Sequence, residues 1–196
     1  MDKSNGYEDI ADRFIESRGR NMKGIGSSSV REWARALPQG AAVLDLGCGT
    51  GIPISKVLMD EGMAVYGLDV SITLINEFRK NFPNAPVVCE AVEDSSFFNR
   101  KFDAVIAWGL IFLLPEDSQV KVIQKAAAAL RSGGKLLFTA PYQKTEWTDV
   151  MTKQLSRSLG AEQYSKLLAA SGLTLLEEFE DEGENHYFHA IKPNIT

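Results

Sequence analysis

Cysteine is scarce in this chain: there are two, Cys48 and Cys89, far apart. Two thiols build neither a disulfide framework nor a zinc-finger pattern. Both are expected as small buried residues rather than nucleophiles, and a reducing, cytoplasmic setting is expected. The N-terminus, Met1-Asp2-Lys3-Ser4-Asn5-Gly6, lacks the apolar core of a secretory signal. The longest apolar run, Ala104 to Leu114, is roughly half of the about 20 residues that span a bilayer, so no membrane partner is expected. A basic surplus is also missing. Lys and Arg number 21 against 26 Asp and Glu, a net charge of −5, which disfavours a nucleic-acid partner. Histidine occurs only at His186 and His189, and no metal site is expected.

What is present is an alternation of elements. The 196 residues suit a single domain, 1–196. Periodicity predicts helices over 7–17, 27–37, 53–61, 71–81, 118–130 and 161–170. Ser27, Ser28 and Ser29 are candidate caps for the second helix, and Ser71 for the fourth. Apolar runs predict strands at 42–46, 64–68, 86–89, 102–107 and 135–139, then a pair at 173–179 and 187–191 joined by Asp181-Glu182-Gly183-Glu184-Asn185. Residues 141–159 read as a polar connection. Strands alternating with helices imply a parallel sheet covered on both faces, an α/β fold.

The most informative stretch is Val43-Leu44-Asp45-Leu46-Gly47-Cys48-Gly49-Thr50-Gly51. It reads as a strand, a tight glycine turn and a helix start. Such a turn brings bare backbone and free N–H groups against an anionic or nucleotide-type ligand, although a turn also needs glycine for shape alone. In an open sheet the ligand lies outside the carboxyl ends of the strands. Asp69 ends the second strand, where a carboxylate can accept both hydroxyls of a ribose. Val70, Glu90, Ala91 and Val92 follow along the same edge, and Trp108 ends the fourth strand. Each also has a plainer role: Asp69 as a cap near Ser71, Glu90 as a solvated acid, Trp108 as core. A dinucleotide turn places glycine three residues after its second glycine, where this chain has Ile52.

The set Asp45-Leu46-Gly47-Cys48-Gly49-Thr50-Gly51, Gly67-Leu68-Asp69, Glu90-Ala91, Phe102-Asp103-Ala104-Val105 and Leu130-Arg131-Ser132-Gly133-Gly134-Lys135-Leu136 resembles the class I S-adenosylmethionine-dependent methyltransferases. The resemblance implies a Rossmann-like three-layer sandwich. Its seven-stranded sheet would run 3-2-1-4-5-7-6 with strand 7 antiparallel. It implies S-adenosyl-L-methionine as cofactor, with Gly47, Cys48, Gly49 and Gly51 at the cofactor, Asp45 nearby and Asp69 on the ribose. Tyr7 is similar to a tyrosine that closes over the cofactor in many members. The chain lacks the Asn/Asp-Pro-Pro-Tyr motif of certain DNA and protein-glutamine members, having Ala107-Trp108-Gly109-Leu110 instead. Residues 1–37 would form a helical lid, 38–140 the cofactor core, and 141–196 the substrate side.

In-line methyl transfer to a small molecule is the expected activity. The alternatives are a non-catalytic cofactor-binding regulatory protein and a nucleotide-dependent oxidoreductase. His186 is the candidate base, against an ordinary strand histidine. Tyr142, Glu146 and Trp147 are candidate pocket residues, against a solvated loop.

Overall fold

The computed structural model describes residues 3–194. Seven strands form one sheet: β1 (Ala42–Leu46), β2 (Ala64–Asp69), β3 (Val87–Cys89), β4 (Phe102–Ala107), β5 (Leu130–Thr139), β8 (Thr174–Glu180) and β9 (His186–Ile191). Their order is β3-β2-β1-β4-β5-β9-β8. The first five run parallel, and β9 is antiparallel to both β5 and β8. The expected arrangement is thus present, with the last two sheet strands carrying later chain numbers. The numbers shift because residues 141–159 hold a separate antiparallel pair, β6 (Thr145–Thr148) with β7 (Leu155–Ser158). That hairpin is a correction to the polar connection expected there. β6 is largely exposed and the residues that β7 buries are the serines Ser156 and Ser158, so the pair carries little of the apolar signal that marks a buried strand.

The six α-helices are α1 (Ala11–Ser17), α2 (Ser27–Arg35), α3 (Ile54–Asp60), α4 (Ile72–Asn81), α5 (Glu116–Ala129) and α6 (Ala161–Ala170). Alternate strand residues face opposite layers. Val43, Val65, Ile106 and Leu137 pack with Val30 and Trp33 of α2 and with Val57 and Leu58 of α3. Leu44, Val105, Leu136, Phe138 and Phe188 pack with Val122 and Ile123 of α5 and with Leu167 and Leu168 of α6. Helix α4 covers the β2–β3 end, and its first turn is capped by Ser71, whose Oγ accepts from Leu74 N. The serines before α2 do not cap it. Gly26 takes that place in a left-handed conformation, and Ser27 Oγ instead donates back to Gly24 O at 2.6 Å. Among the described residues no helix is long and apolar enough to cross a membrane.

Candidate functional site

Strand order reverses between β1 and β4, and a cavity of about 500 Å³ opens there at the strands' carboxyl ends. The β1 turn supplies Asp45, Gly47, Cys48 and Gly49; β2 supplies Asp69 and Val70; Ala91 and Val92 follow β3; Trp108 follows β4. Tyr7 reaches it from the N-terminal segment. Ten of the sequence candidates therefore meet at one wall.

The glycines divide by role. Gly49 has φ of 53°, and a Cβ there would enter open space, so its backbone is bare toward the cavity. Gly51 has φ of 79°, but a Cβ there would stand 2.5 Å from Phe82 and 2.8 Å from Phe78. It lies outside the cavity, and glycine is needed there so that α4 can pack on the turn. This corrects its expected place at the cofactor.

Asp45 is buried at the cavity floor and accepts from Ser55 Oγ at 2.5 Å. Burial raises its pKa to about 7, opposed by the Ser55 bond and helped by the Asp69 charge. Asp69 accepts from Gly49 N on Oδ2 and from Ser71 N on Oδ1, both at 2.9 Å. Burial pushes its pKa up and these backbone donors hold it down. A carboxylate offers about four lone-pair positions, so two backbone bonds leave Asp69 capacity for a ligand's hydroxyls. Burial also raises the Cys48 thiol, which disfavours the nucleophilic thiolate, and raises Tyr7 to about 12.

Five further candidates lie outside the cavity. The Glu90 side chain is in solvent, while its backbone N–H donates to Asp69 O at 2.9 Å as the β2–β3 pairing continues. His186 is buried on the α5–α6 face of the sheet, with Nε2 2.7 Å from Glu178 and its ring against Tyr142 and Phe188. His189 faces the opposite layer, against Trp33. Tyr142 is exposed over His186. Glu146 faces Arg157 across the β6–β7 hairpin at 3.7 Å. Trp147 packs at a tilt against Phe112, which does line the cavity, so it backs the wall without forming it.

Several lining residues carried no sequence signal of their own. Gly183 and Asn185 come from the β8–β9 turn, and Leu110, Phe112 and Leu113 from the turn after β4. Asp181 shapes the first pair by accepting from Gly183 N at 2.8 Å and Asn185 N at 3.0 Å, a side-chain-capped turn that an Asp-x-Gly sequence favours. The N-terminal segment is held over the site at three places. Thr50 Oγ1 donates to Gly19 O at 2.8 Å, and Ser71 Oγ and Thr73 Oγ1 both donate to Glu8. Gly6 sits against Thr152 and Gln154 of the β6–β7 turn.

Residues 43–134 match the family profile described as a methyltransferase domain. Among curated relatives, a tRNA (carboxymethyluridine(34)-5-O)-methyltransferase from Xenopus tropicalis is 29% identical over 78% of this chain and 23% of its own length. A sarcosine/dimethylglycine N-methyltransferase from Aphanothece halophytica is 25% identical over 83% of this chain and 62% of its own. The chain therefore spans less than two thirds of either relative. The structure of magnesium protoporphyrin IX methyltransferase from Synechocystis PCC 6803 with bound SAM superposes with a TM-score of 0.70 at 18% identity, covering 98% of both chains. The matched core over residues 43–134 makes this chain similar to methyltransferase domains, and its glycine turn and strand order give it the fold that the solved neighbour shares.

Proposed function

We propose that the cavity binds S-adenosyl-L-methionine and that the chain transfers its methyl group to a small-molecule acceptor. The observation that carries this reading is the pairing of bare Gly49 backbone with two carboxylates, Asp45 and Asp69, at the strand-order switch. When bound, the cofactor supplies a methyl group already activated by its positive sulfur. The chain's work is then to bind, orient and exclude water. Asp69 accepts the ribose hydroxyls. Asp45, under the glycine turn, supplies negative charge to the cationic half of the ligand. Tyr7 and residues 18–25 form the roof, and Trp108, Ile25, Gly183 and Asn185 form the acceptor side.

The cavity volume is within the range of about 300–1,000 Å³ usual for small ligands. Carboxylates on its walls and a net charge of −5 fit a small acceptor better than a polyanion. His186, on the far layer, has no part in the transfer.

Calorimetry with S-adenosylhomocysteine tests the cofactor. The native chain should bind, Asp69→Ala should bind about a hundredfold more weakly or worse, and NAD should not compete. Equal affinity of the variant would refute the assignment. Methyl-labelled cofactor incubated with a cell extract tests the acceptor: label is expected among small molecules, and label confined to RNA or protein would overturn that part.

A further inference from the structure

Lys125, about one turn from the end of α5, lies outside the cavity, yet it grips the loop that forms one of its walls. Its Nζ donates to Val92 O and Glu93 O at 2.9 Å and to Ser95 O at 2.7 Å. An ammonium has three donors, and all three are used. The same Nζ stands 4.6 Å over the Phe97 ring. Two turns earlier on the same helix face, Ser118 Oγ donates to Glu93 Oε1 at 3.2 Å. Between them, Val122 packs in one core cluster with Val92 and Phe97. Three residues of one helical stripe thus fix the backbone, the side chain and the apolar anchor of residues 92–97.

The consequence follows from peptide geometry. A trans peptide points its C=O and the next N–H in opposite directions. Drawing the Val92 carbonyl toward α5 turns the Glu93 N–H away from α5, and Val92 and Glu93 line the cavity. Among the described residues that N–H has no hydrogen-bond partner. Ala91 O is occupied by Asp94 N and Ser95 N, both at 3.0 Å, so the loop has little freedom to rotate its other peptides. Three charge-assisted bonds to one lysine are a large local investment for a loop of this length, since each is roughly twice as strong as a neutral bond.

We propose that Lys125 is a positioning residue for base recognition: it presets the 92–95 backbone as the wall that meets the cofactor's nucleobase, and so sets selectivity for adenine. This rests on the cofactor reading above, in which Asp69 holds the ribose; the base carried by that ribose is then assigned to the adjoining wall formed by Ala91, Val92 and Glu93. A positioning role differs from a purely structural one in what it does to discrimination. Loss of general stability weakens all nucleoside ligands alike. Loss of a preset wall weakens the matching base more than a mismatched one.

The test compares S-adenosylhomocysteine with S-inosylhomocysteine, in which the adenine amino group is replaced by oxygen, by calorimetry. The native chain should prefer the adenine form. Lys125→Met, which keeps the apolar stem, should bind S-adenosylhomocysteine about tenfold more weakly and lose most of the preference. Lys125→Arg, which keeps charge and donors, should retain more of it. If Lys125→Met does not fold, Ser118→Ala should still lose part of the preference, by about two- to fivefold. A preference unchanged in Lys125→Met, or in Ser118→Ala where that variant is the one measured, overturns the assignment while leaving the cofactor reading intact. Failure of the native chain to bind either compound overturns both.

Discussion

The indole N–H of Trp108 donates to the hydroxyl of Tyr187 at 2.8 Å, and that hydroxyl donates in turn to Asp181 Oδ2 at 2.8 Å. The link joins the end of β4 to β9 and, through Asp181, to the turn that carries Gly183 and Asn185 into the cavity. Burial and the Asp181 carboxylate raise the Tyr187 pKa, so the hydroxyl keeps its proton and the chain of donors keeps its direction.

Tyr187→Phe should break both bonds while preserving the ring stacked on Phe179. It strands an indole N–H and leaves Asp181 with fewer donors, a cost of about 1–3 kcal/mol. In a chain of this size each kcal/mol lowers the melting temperature by about 2–4 °C. Calorimetric melting should show that drop; an unchanged midpoint would mean that water replaces the hydroxyl freely.

Asp45 predicts a pH dependence. Its ordinary pKa of 3.8 rises to about 7 in the folded chain. Between these values the folded state binds more protons than the unfolded one. Stability is therefore highest at the acid end, falls as pH rises from about 4 to about 7, and is level above that. Asp45→Asn, which keeps an acceptor for Ser55, should add up to roughly 4 kcal/mol at pH 8 and little near pH 4. Urea denaturation at the two pH values reads the difference. The same variant should bind S-adenosylmethionine more weakly at pH 8, so that stability and ligand affinity move in opposite directions.

Alanine at two glycines of one turn should give opposite phenotypes. Gly49→Ala has room for its methyl and should fold at a cost of about 1–2 kcal/mol for its positive φ, but should bind S-adenosylhomocysteine poorly. Gly51→Ala drives a methyl into Phe78 and Phe82 and should lose about 2–4 kcal/mol of stability. Equal losses of affinity and stability in both variants would refute the division.

Thr50→Val should release the roof without damaging the floor. It removes the buried bond to Gly19 O and keeps the side-chain volume. Faster amide exchange is expected over 18–25, with β1 and β4 amides unchanged. Uniform acceleration across the sheet would show instead that Thr50 holds the core.

The ends of β1 and β4, the cap at Ser71 and the helix Ala161–Ala170 were legible in the sequence because each signal is local: apolar runs, an N-cap hydroxyl, 3.6-residue periodicity. The β6–β7 hairpin was not, because β6 is exposed and the residues that β7 buries, Ser156 and Ser158, are polar. The cap of α2 was misread because a glycine in a left-handed conformation does the work beside three serines.

The sequence by itself determined the alternation of strands and helices, the glycine turn and the carboxylates at the strand ends, since these follow from patterns a few residues long, whereas the strand order was implied by the family resemblance. Only the tertiary structure decided which of those residues share a cavity. Asn185 and His186 are chain neighbours, yet one lines the cavity and the other is buried against Tyr142 and Phe188. Asn185 ends the β8–β9 turn and His186 begins β9, so which side each faces depends on where the turn meets the sheet and on what packs there. Gly49 and Gly51 part in the same way: their spacing is local, and the aromatic rings that claim one of them come from α4, nearly thirty residues further along the chain.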